Sequence, residues 1–460
     1  MQLRSLSGVA TGLVIALATP ATHADEFLPR AALSTVYSDN INRQAASYGS
    51  DTVVTASAGF RYLHESARWH MNVSALGSYA EFLENTYDAR TLGSGSLLAG
   101  VTLVPRYVTW ELQDNYGQIA TDSFGAIEPT DRQNTNYLST GPNFTIPLGR
   151  SRLDLQGRYS DVSYEGTDTL NNNRTSGTIS LVHPWTDIRT ISANLFQQTT
   201  KFDHDELFRD YDLRSAFFSL RSTPRRSVYQ FDLGITEVDD GLNKSKGTLF
   251  GLTYGHQVSA SSAIQVYGRR GIADSADTFR FEQGGSTDPL LIDHNVTPRA
   301  SPYRESRVDL SYVSTRARGA WSVMPYWVDE DYLDNDAFDR SRGGLRTDLS
   351  YSLGGTWRFD AYASGEKSTY FDPSFDHTDI QLGLGATKFL STSIQVSGRF
   401  ERFDRSGDVD DYTENRVMLL ISYAPSSRTR NDPTDPTRIL DRARGTNSQP
   451  TFTSPAGTAR

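Results

Sequence analysis

Few side chains in this sequence could start a reaction. Cysteine is absent and there are eight histidines. His64, His70, His183 and His256 fall within or beside segments read below as strands or short turns. No Ser or Asp stands near them at a spacing that suggests a nucleophile system. No catalytic residue is therefore expected. Acidic residues gather at Asp329, Glu330, Asp331, Asp334, Asp336 and Asp339, and again at Asp408, Asp410 and Asp411. His204 with Asp203, Asp205 and Glu206, inside the segment Phe202 to Phe208, forms a third group. Oxygen ligands at such density could hold Ca²⁺ or Mg²⁺, but no stretch has the calcium-loop pattern with its Gly and terminal Glu. Solvated charges in outer loops are the expectation, with no metal ligand and no cofactor.

The stronger functional candidates are charged residues that alternate with apolar ones: Glu111, Asp154, Arg158, Asp232, Arg307, Asp309, Arg358, Asp360, Glu366, Arg399 and Glu401. On a strand, alternate residues share a face. A charge facing lipid costs about 2–4 kcal/mol at the bilayer midplane, whereas a wet lumen tolerates it. These eleven residues are therefore expected to line a lumen, and their mixed signs imply a polar path without strong ion selectivity.

What positions them is a repeated pattern of period two. Ile394, Val396, Gly398 and Phe400 alternate with Gln395, Ser397, Arg399 and Glu401, and Tyr229, Phe231, Leu233 and Ile235 with Gln230, Asp232, Gly234 and Thr236. The same holds around Leu153 and Leu155, around Trp357 and Phe359, and from Ile380 to Ala386. Strands are expected near 31–39, 51–63, 68–82, 91–104, 106–119, 134–147, 151–164, 172–183, 188–201 and 211–222. They continue near 227–238, 247–258, 262–273, 304–315, 318–328, 344–354, 356–370, 377–388, 392–403 and 413–424. Between them, short turns such as Leu148 to Arg150 alternate with longer polar loops. Strands longer than the five or six residues usual in soluble domains, with short connections at one end and long at the other, specify a transmembrane barrel. The expected fold is all-β, an up-and-down antiparallel barrel of about twenty strands, with eighteen the alternative count. Its short turns would be periplasmic and its long loops extracellular. Tyr79, Phe82, Tyr326, Trp327, Tyr370, Phe371, Tyr412 and Tyr423 near strand ends are expected at the bilayer interfaces.

Composition agrees with a barrel whose inner face is wet: 37% hydrophobic and 22% charged residues, with 23 Tyr, 22 Phe and 36 Gly. The net charge of −10 argues against nucleic acid as a partner. Residues 1–24 read as a signal peptide, with Arg4, an apolar run from Gly8 to Ala18, and Thr22-His23-Ala24 before a mature start near Asp25. The barrel is expected over residues 25–424, beginning too soon after the leader to leave room for an N-terminal plug. Residues 425–460 read as a disordered periplasmic tail, with Arg428, Arg430, Arg438, Arg442, Arg444 and Arg460 outnumbering Asp432, Asp435 and Asp441. The longest loop, Ala273 to Tyr303, with Gly284, Gly285, Pro289, Pro298 and Pro302, is the expected constriction.

Several short motifs carry a family resemblance. Tyr37-Ser38-Asp39-Asn40-Ile41-Asn42, then Ser50-Asp51-Thr52, Gly59-Phe60-Arg61, Tyr79-Ala80-Glu81-Phe82, Leu103-Val104-Pro105 and Thr413-Glu414-Asn415-Arg416-Val417 together resemble the outer-membrane β-barrel porin family related to exopolysaccharide-locus proteins. The resemblance covers most of the mature chain. It implies a Gram-negative outer-membrane barrel surrounded by lipid and lipopolysaccharide, and a pore for exopolysaccharide export served by a periplasmic export component. A general or nutrient-uptake porin is the second function, and a barrel enzyme or surface-binding module the third.

Overall fold

The structure is a computed structural model that describes residues 26–425 apart from 46–48, 122–128, 130, 205, 277–298 and 410. The expected leader, the tail beyond Pro425 and most of the longest loop lie outside the described residues.

Twenty strands are present among the described residues. They are β1 (Glu26–Ser38), β2 (Asp51–Glu65), β3 (Trp69–Phe82), β4 (Arg90–Val104), β5 (Val108–Ala120), β6 (Arg132–Leu148), β7 (Ser151–Tyr164), β8 (Asn172–Thr186), β9 (Arg189–Phe202) and β10 (Tyr211–Ser222). The second half comprises β11 (Ser227–Asp239), β12 (Lys244–Ser259), β13 (Ser262–Ala273), β14 (Tyr303–Arg316), β15 (Gly319–Tyr332), β16 (Arg340–Leu353), β17 (Trp357–Tyr370), β18 (His377–Phe389), β19 (Ile394–Gly407) and β20 (Tyr412–Tyr423). Each strand pairs antiparallel with its sequence neighbour. β1 closes on β20 from Ala31 opposite Tyr423 to Ser38 opposite Arg416. The fold is a closed, up-and-down antiparallel barrel, and its strand count is twenty.

Alternation fixes which way each side chain points. Phe218, Leu195, Leu233, Ile235, Leu384 and Leu419 are exposed apolar residues, while Asp232, Thr236, Ser215 and Asn194 on the opposite parity are buried. A closed sheet with an apolar outside satisfies every backbone group within itself, which is what a hydrocarbon solvent demands. Outside-facing aromatics include Tyr79, Trp327 and Tyr423, as expected of an interface girdle. Phe82, Tyr326, Tyr370 and Tyr412 depart from that expectation. They have inward parity, and Tyr326 donates its hydroxyl to Glu366. Aromatic identity near a strand end does not decide the face; parity does.

The short-turn end is made of connections such as 149–150, 317–318 and 354–356, where Gly354 and Gly355 take φ of 60° and 74°. Two consecutive positive φ values match the right-handed twist of a tight hairpin, and Gly reaches them without strain. Three register irregularities, between Thr102 and Val104, Pro184 and Thr186, and Gln257 and Ser259, all lie at this end.

The long-loop end repeats one construction. The last aromatic residue of a strand donates its backbone N–H to an Asp or Asn that ends the loop: Tyr164 to Asn171 at 2.7 Å, Phe202 to Asp210 at 2.9 Å, Tyr332 to Asp339 at 2.7 Å and Tyr370 to Asp376 at 2.8 Å. A second aromatic packs on the first in three of them, Phe208 on Phe202, Phe338 on Tyr332 and Phe375 on Tyr370. Asp339 is therefore a loop closer rather than a free solvated charge. Asp329, Glu330 and Asp331, expected in a loop, belong to β15 instead. The strand continues because Glu330 faces inward and pairs with Arg340 and Arg342 of β16.

Candidate functional site

All eleven sequence-nominated residues have inward parity, opposite the exposed apolar residues of their strands. The structure brings most of them together in pairs. Arg158 donates to Glu111 across two strands and to Asn143 at 2.7 Å. Arg307 meets Asp309 at 2.7 Å, Arg358 meets Asp360 at 3.1 Å, and Arg399 reaches Glu401 at 3.5 Å. Glu401 also accepts from the Tyr362 hydroxyl at 2.9 Å. Asp154 is held by Arg152 at 2.8 Å and Asp232 by Gln230 at 3.2 Å. Glu366 accepts from Tyr326 and from Ser368.

Two of the inward tyrosines need glycine beside them. Tyr326 lies over Gly344 and Tyr362 over Gly383, their register partners, and a Cβ at either glycine would sit within 2.7 Å of the ring. The rings thus lie flat against the wall and leave the interior to the polar groups.

On β13 to β19 nine further inward charges were not among those expected. Arg346 with Asp348 at 3.0 Å, Asp379 with Arg405 at 2.7 Å, Glu330 with Arg340 and Arg342, and Glu305 with Arg269 complete the wall. A signal was present in part: Arg152-x-Asp154, Arg307-x-Asp309, Arg346-x-Asp348, Arg358-x-Asp360 and Arg399-x-Glu401 repeat one spacing, and residues two apart on a strand share a face. The inner wall of β13 to β19 carries Arg269, Arg307, Arg340, Arg342, Arg346, Arg358, Arg399 and Arg405 against Glu305, Asp309, Glu330, Asp348, Asp360, Glu366, Asp379 and Glu401. The signs balance. The adjoining wall, β8 to β12, presents Ser176, Thr178, Ser180, Asn194, Gln198, Thr200, Ser215 and Thr236, with Arg174, Arg221 and Asp232 among its few inward charges. From β8 to β19 the inner wall thus passes from largely neutral polar to densely charged.

Both described stems of the longest loop turn into the barrel. Asp274 forms an ion pair with Arg174 of β8 at 2.7 Å and accepts from the Tyr211 hydroxyl of β10 at 2.8 Å, all buried. Ala276 packs among Ile119, Tyr137, Val162, Tyr164 and Leu170, from β5 to the loop after β7. Ser275 ties the two stems by hydrogen bonds with both the N–H and the carbonyl of Arg299, at 3.1 Å each. The loop that starts at β13 is therefore pinned to the wall several strands away. Its centre, with Gly284, Gly285, Pro289 and Pro298, lies outside the described residues.

Where the barrel closes, the first and last of the family motifs meet. Glu414 accepts from Ser38 Oγ at 2.7 Å, Arg43 Nε at 3.1 Å, and Arg416 Nε and Nη2 at 2.7 and 2.9 Å. Asp39 accepts from Asn415 N and Nδ2 at 2.7 and 2.8 Å, and Asn40 donates to the Thr413 carbonyl at 3.0 Å. Ser38, Asn40, Glu414 and Arg416 are fully or almost fully buried.

Two histidines meet serines across strands: His183 Nδ1 lies 2.9 Å from Ser151 Oγ, and His256 Nδ1 2.7 Å from Ser227 Oγ. Neither histidine contacts a carboxylate among the described residues, and both pairs have outward parity at the short-turn end. His64 stacks on Trp69 at 3.5 Å. In the loop outside the membrane-spanning strands, His204 bonds Glu206 at 3.0 Å, and that hydrogen bond raises its pKa above the ordinary histidine value. Among the described residues no group of three or more His, Asp or Glu is placed to hold a metal ion.

No family model matches the chain, and no curated protein matches it. Solved structures do. A mutant of the ferric enterobactin receptor PfeA from Pseudomonas aeruginosa superposes with a TM-score of 0.50 at 8% identity, covering 87% of this chain and 81% of that one. The siderophore receptor PirA from the same organism gives 0.43 at 10% identity over 88% and 81%. OccK2 (OpdF) of Pseudomonas aeruginosa in complex with glucuronate gives 0.40 at 8% identity over 87% and 98%. At 8% identity the likeness to the PfeA structure is one of fold, and that fold is an outer-membrane β-barrel. With its closed sheet and apolar exterior, this chain is such a barrel.

Proposed function

We propose that this protein is a passive outer-membrane channel for polar solutes without net charge preference. The observation that carries the reading is the charge balance of the β13–β19 wall, where each carboxylate has a guanidinium within its own strand or the next, or a tyrosine hydroxyl. Paired charges cancel at distances beyond a Debye length of about 8 Å, so a permeating ion meets a polar surface and little net field. The eleven nominated residues and their partners line that path, and the stems of the β13–β14 loop narrow it. Saccharide is the solute class we favour, with exopolysaccharide export as the finer reading, supported by the family resemblance of the Tyr37–Asn42 and Thr413–Val417 motifs. A catalytic role is not proposed, since neither Ser–His pair has an orienting acid among the described residues.

The test is a reversal potential across a planar bilayer under a KCl gradient. A value near zero is expected. Strong preference for either ion would overturn the proposal, because it would mean that the wall charges act singly.

A further inference from the structure

A cavity of about 320 Å³ opens on the inner face of β15 to β20, in the half of the barrel nearer the long loops. We propose that it is a binding subsite for a neutral, hydroxyl-rich ring, a single sugar residue or a cyclic polyol. The proposal rests on the reading of the chain as a polar channel and names what that channel holds.

The charges around the cavity are already committed to one another. Arg405 grips Asp379 through Nε at 2.7 Å and Nη2 at 2.8 Å, Arg346 holds Asp348 at 3.0 Å, and Arg43, reaching in from the first loop, holds Glu414 at 3.1 Å. Glu366 accepts from Tyr326 and Ser368. An anion entering here would face Glu366 and Asp379, and a cation would face Arg346 and Arg405. An anion must take Arg405 from Asp379 or Arg346 from Asp348, and a cation must take Asp379 from Arg405 or Glu366 from the Tyr326 and Ser368 hydroxyls, so either breaks contacts that the wall already makes. A neutral group that donates and accepts at once loses nothing of this kind, and vicinal hydroxyls do so in a geometry that carboxylate and guanidinium edges match.

Two polar side chains of the lining are left over. The Gln381 amide and the Ser364 hydroxyl have no hydrogen-bond partner among the described residues, and both have inward parity on adjacent strands. Together they supply donors and acceptors that the wall does not use. Tyr412 and Phe403 form the apolar margin of the same cavity, their ring faces covered by the Arg405 and Arg416 guanidinium groups. The volume falls at the low end of the range for small-molecule sites, about 300–1,000 Å³, which suits one ring rather than an oligomer.

The test uses the full-length protein in detergent micelles and equilibrium binding by saturation-transfer NMR, with D-glucose, myo-inositol, glucuronate and glucosamine as probes. Glucose or inositol should bind with a dissociation constant of millimolar order, and each more tightly than the two charged probes. Gln381→Leu should weaken that binding about fivefold, the worth of one net hydrogen bond. Gln395→Leu, on the same wall nearer the short turns, should leave it unchanged. Tighter binding of glucuronate or glucosamine, equal binding by Gln381→Leu, or no binding by any probe would each overturn the subsite. Conductance in planar bilayers is read separately, so a channel that conducts but binds no neutral ring defeats this proposal alone.

Discussion

Replacing Glu414 by Ala should unfasten the barrel where its two ends meet. The closing pair β1–β20 is in register over eight positions, from Ala31 to Ser38, against thirteen for β1–β2. The seam is therefore the shorter of the two pairings that β1 makes. At its long-loop end Glu414 accepts four hydrogen bonds from Ser38, Arg43 and Arg416, and neither it nor Arg416 is more than 1% exposed. Removing the carboxylate leaves a buried guanidinium stacked on the face of Phe403 at 4.4 Å, without the acid that neutralises it. Loss of one partner from a buried ion pair costs about 3–5 kcal/mol, most of it the uncompensated charge. Glu414→Gln keeps the shape and one acceptor, so its cost should be smaller, nearer the 1.5–3 kcal/mol or so of a charged hydrogen bond. Urea unfolding of the protein refolded into lipid vesicles reads both numbers. A double-mutant cycle with Ser38→Ala should show coupling, because the two side chains are in contact at 2.7 Å. A loss below about 1 kcal/mol for Glu414→Ala, a value typical of exposed pairs, would refute the reasoning and mean that water reaches the seam.

Asp274→Ala should release the loop stem from Arg174 and Tyr211 and raise single-channel conductance in planar bilayers; an unchanged conductance would remove the stem from the constriction. Leu233→Arg, at a lipid-facing position that is 49% exposed, should cost about 2–4 kcal/mol in vesicle unfolding if it lies near the midplane, and a neutral result would mean that the outside of β11 is wet. Truncation after Ala424 retains all of β20, so heat-modifiable gel migration should survive it; failure to assemble would make residues 425–460 part of the fold.

How much of this is legible in the sequence depends on the range of the interaction involved. Strand identity and facing are legible because alternation is local: every strand is foreseen in order, and β7, β10 and β13 to the residue, since a one-residue slip would turn an apolar face to the lumen. The nominated charges acquire inward parity for the same reason. Several other strand ends at the long-loop side are not legible. β12 begins at Lys244 and not near 247, and β15 runs on to Tyr332, because Lys244 and Lys246 pair with Asp239 and Glu237, and Glu330 pairs with Arg340 and Arg342. A run such as Asp329-Glu330-Asp331 looks like solvated loop until its partners on the next strand are known.

The seam shows what longer range conceals. Ser38 and Glu414 are 376 residues apart and share a hydrogen bond, and nothing in the period-two pattern distinguishes Glu414 from any other inward acid. What marks the two segments is their individuality: Ser38-Asp39-Asn40 and Glu414-Asn415-Arg416 stand out as motifs, where most of the chain is periodicity. A barrel wall needs only a face pattern, so many sequences satisfy it, whereas closure needs one strand to recognise another in one register. Matching donors and acceptors at defined positions give that recognition, as Asp39 does with both the backbone and side-chain amides of Asn415. Motif strength in this chain therefore follows the specificity of closure as much as the chemistry of the lumen, and the lumen's own residues are distinguished mainly by their parity and their pairing.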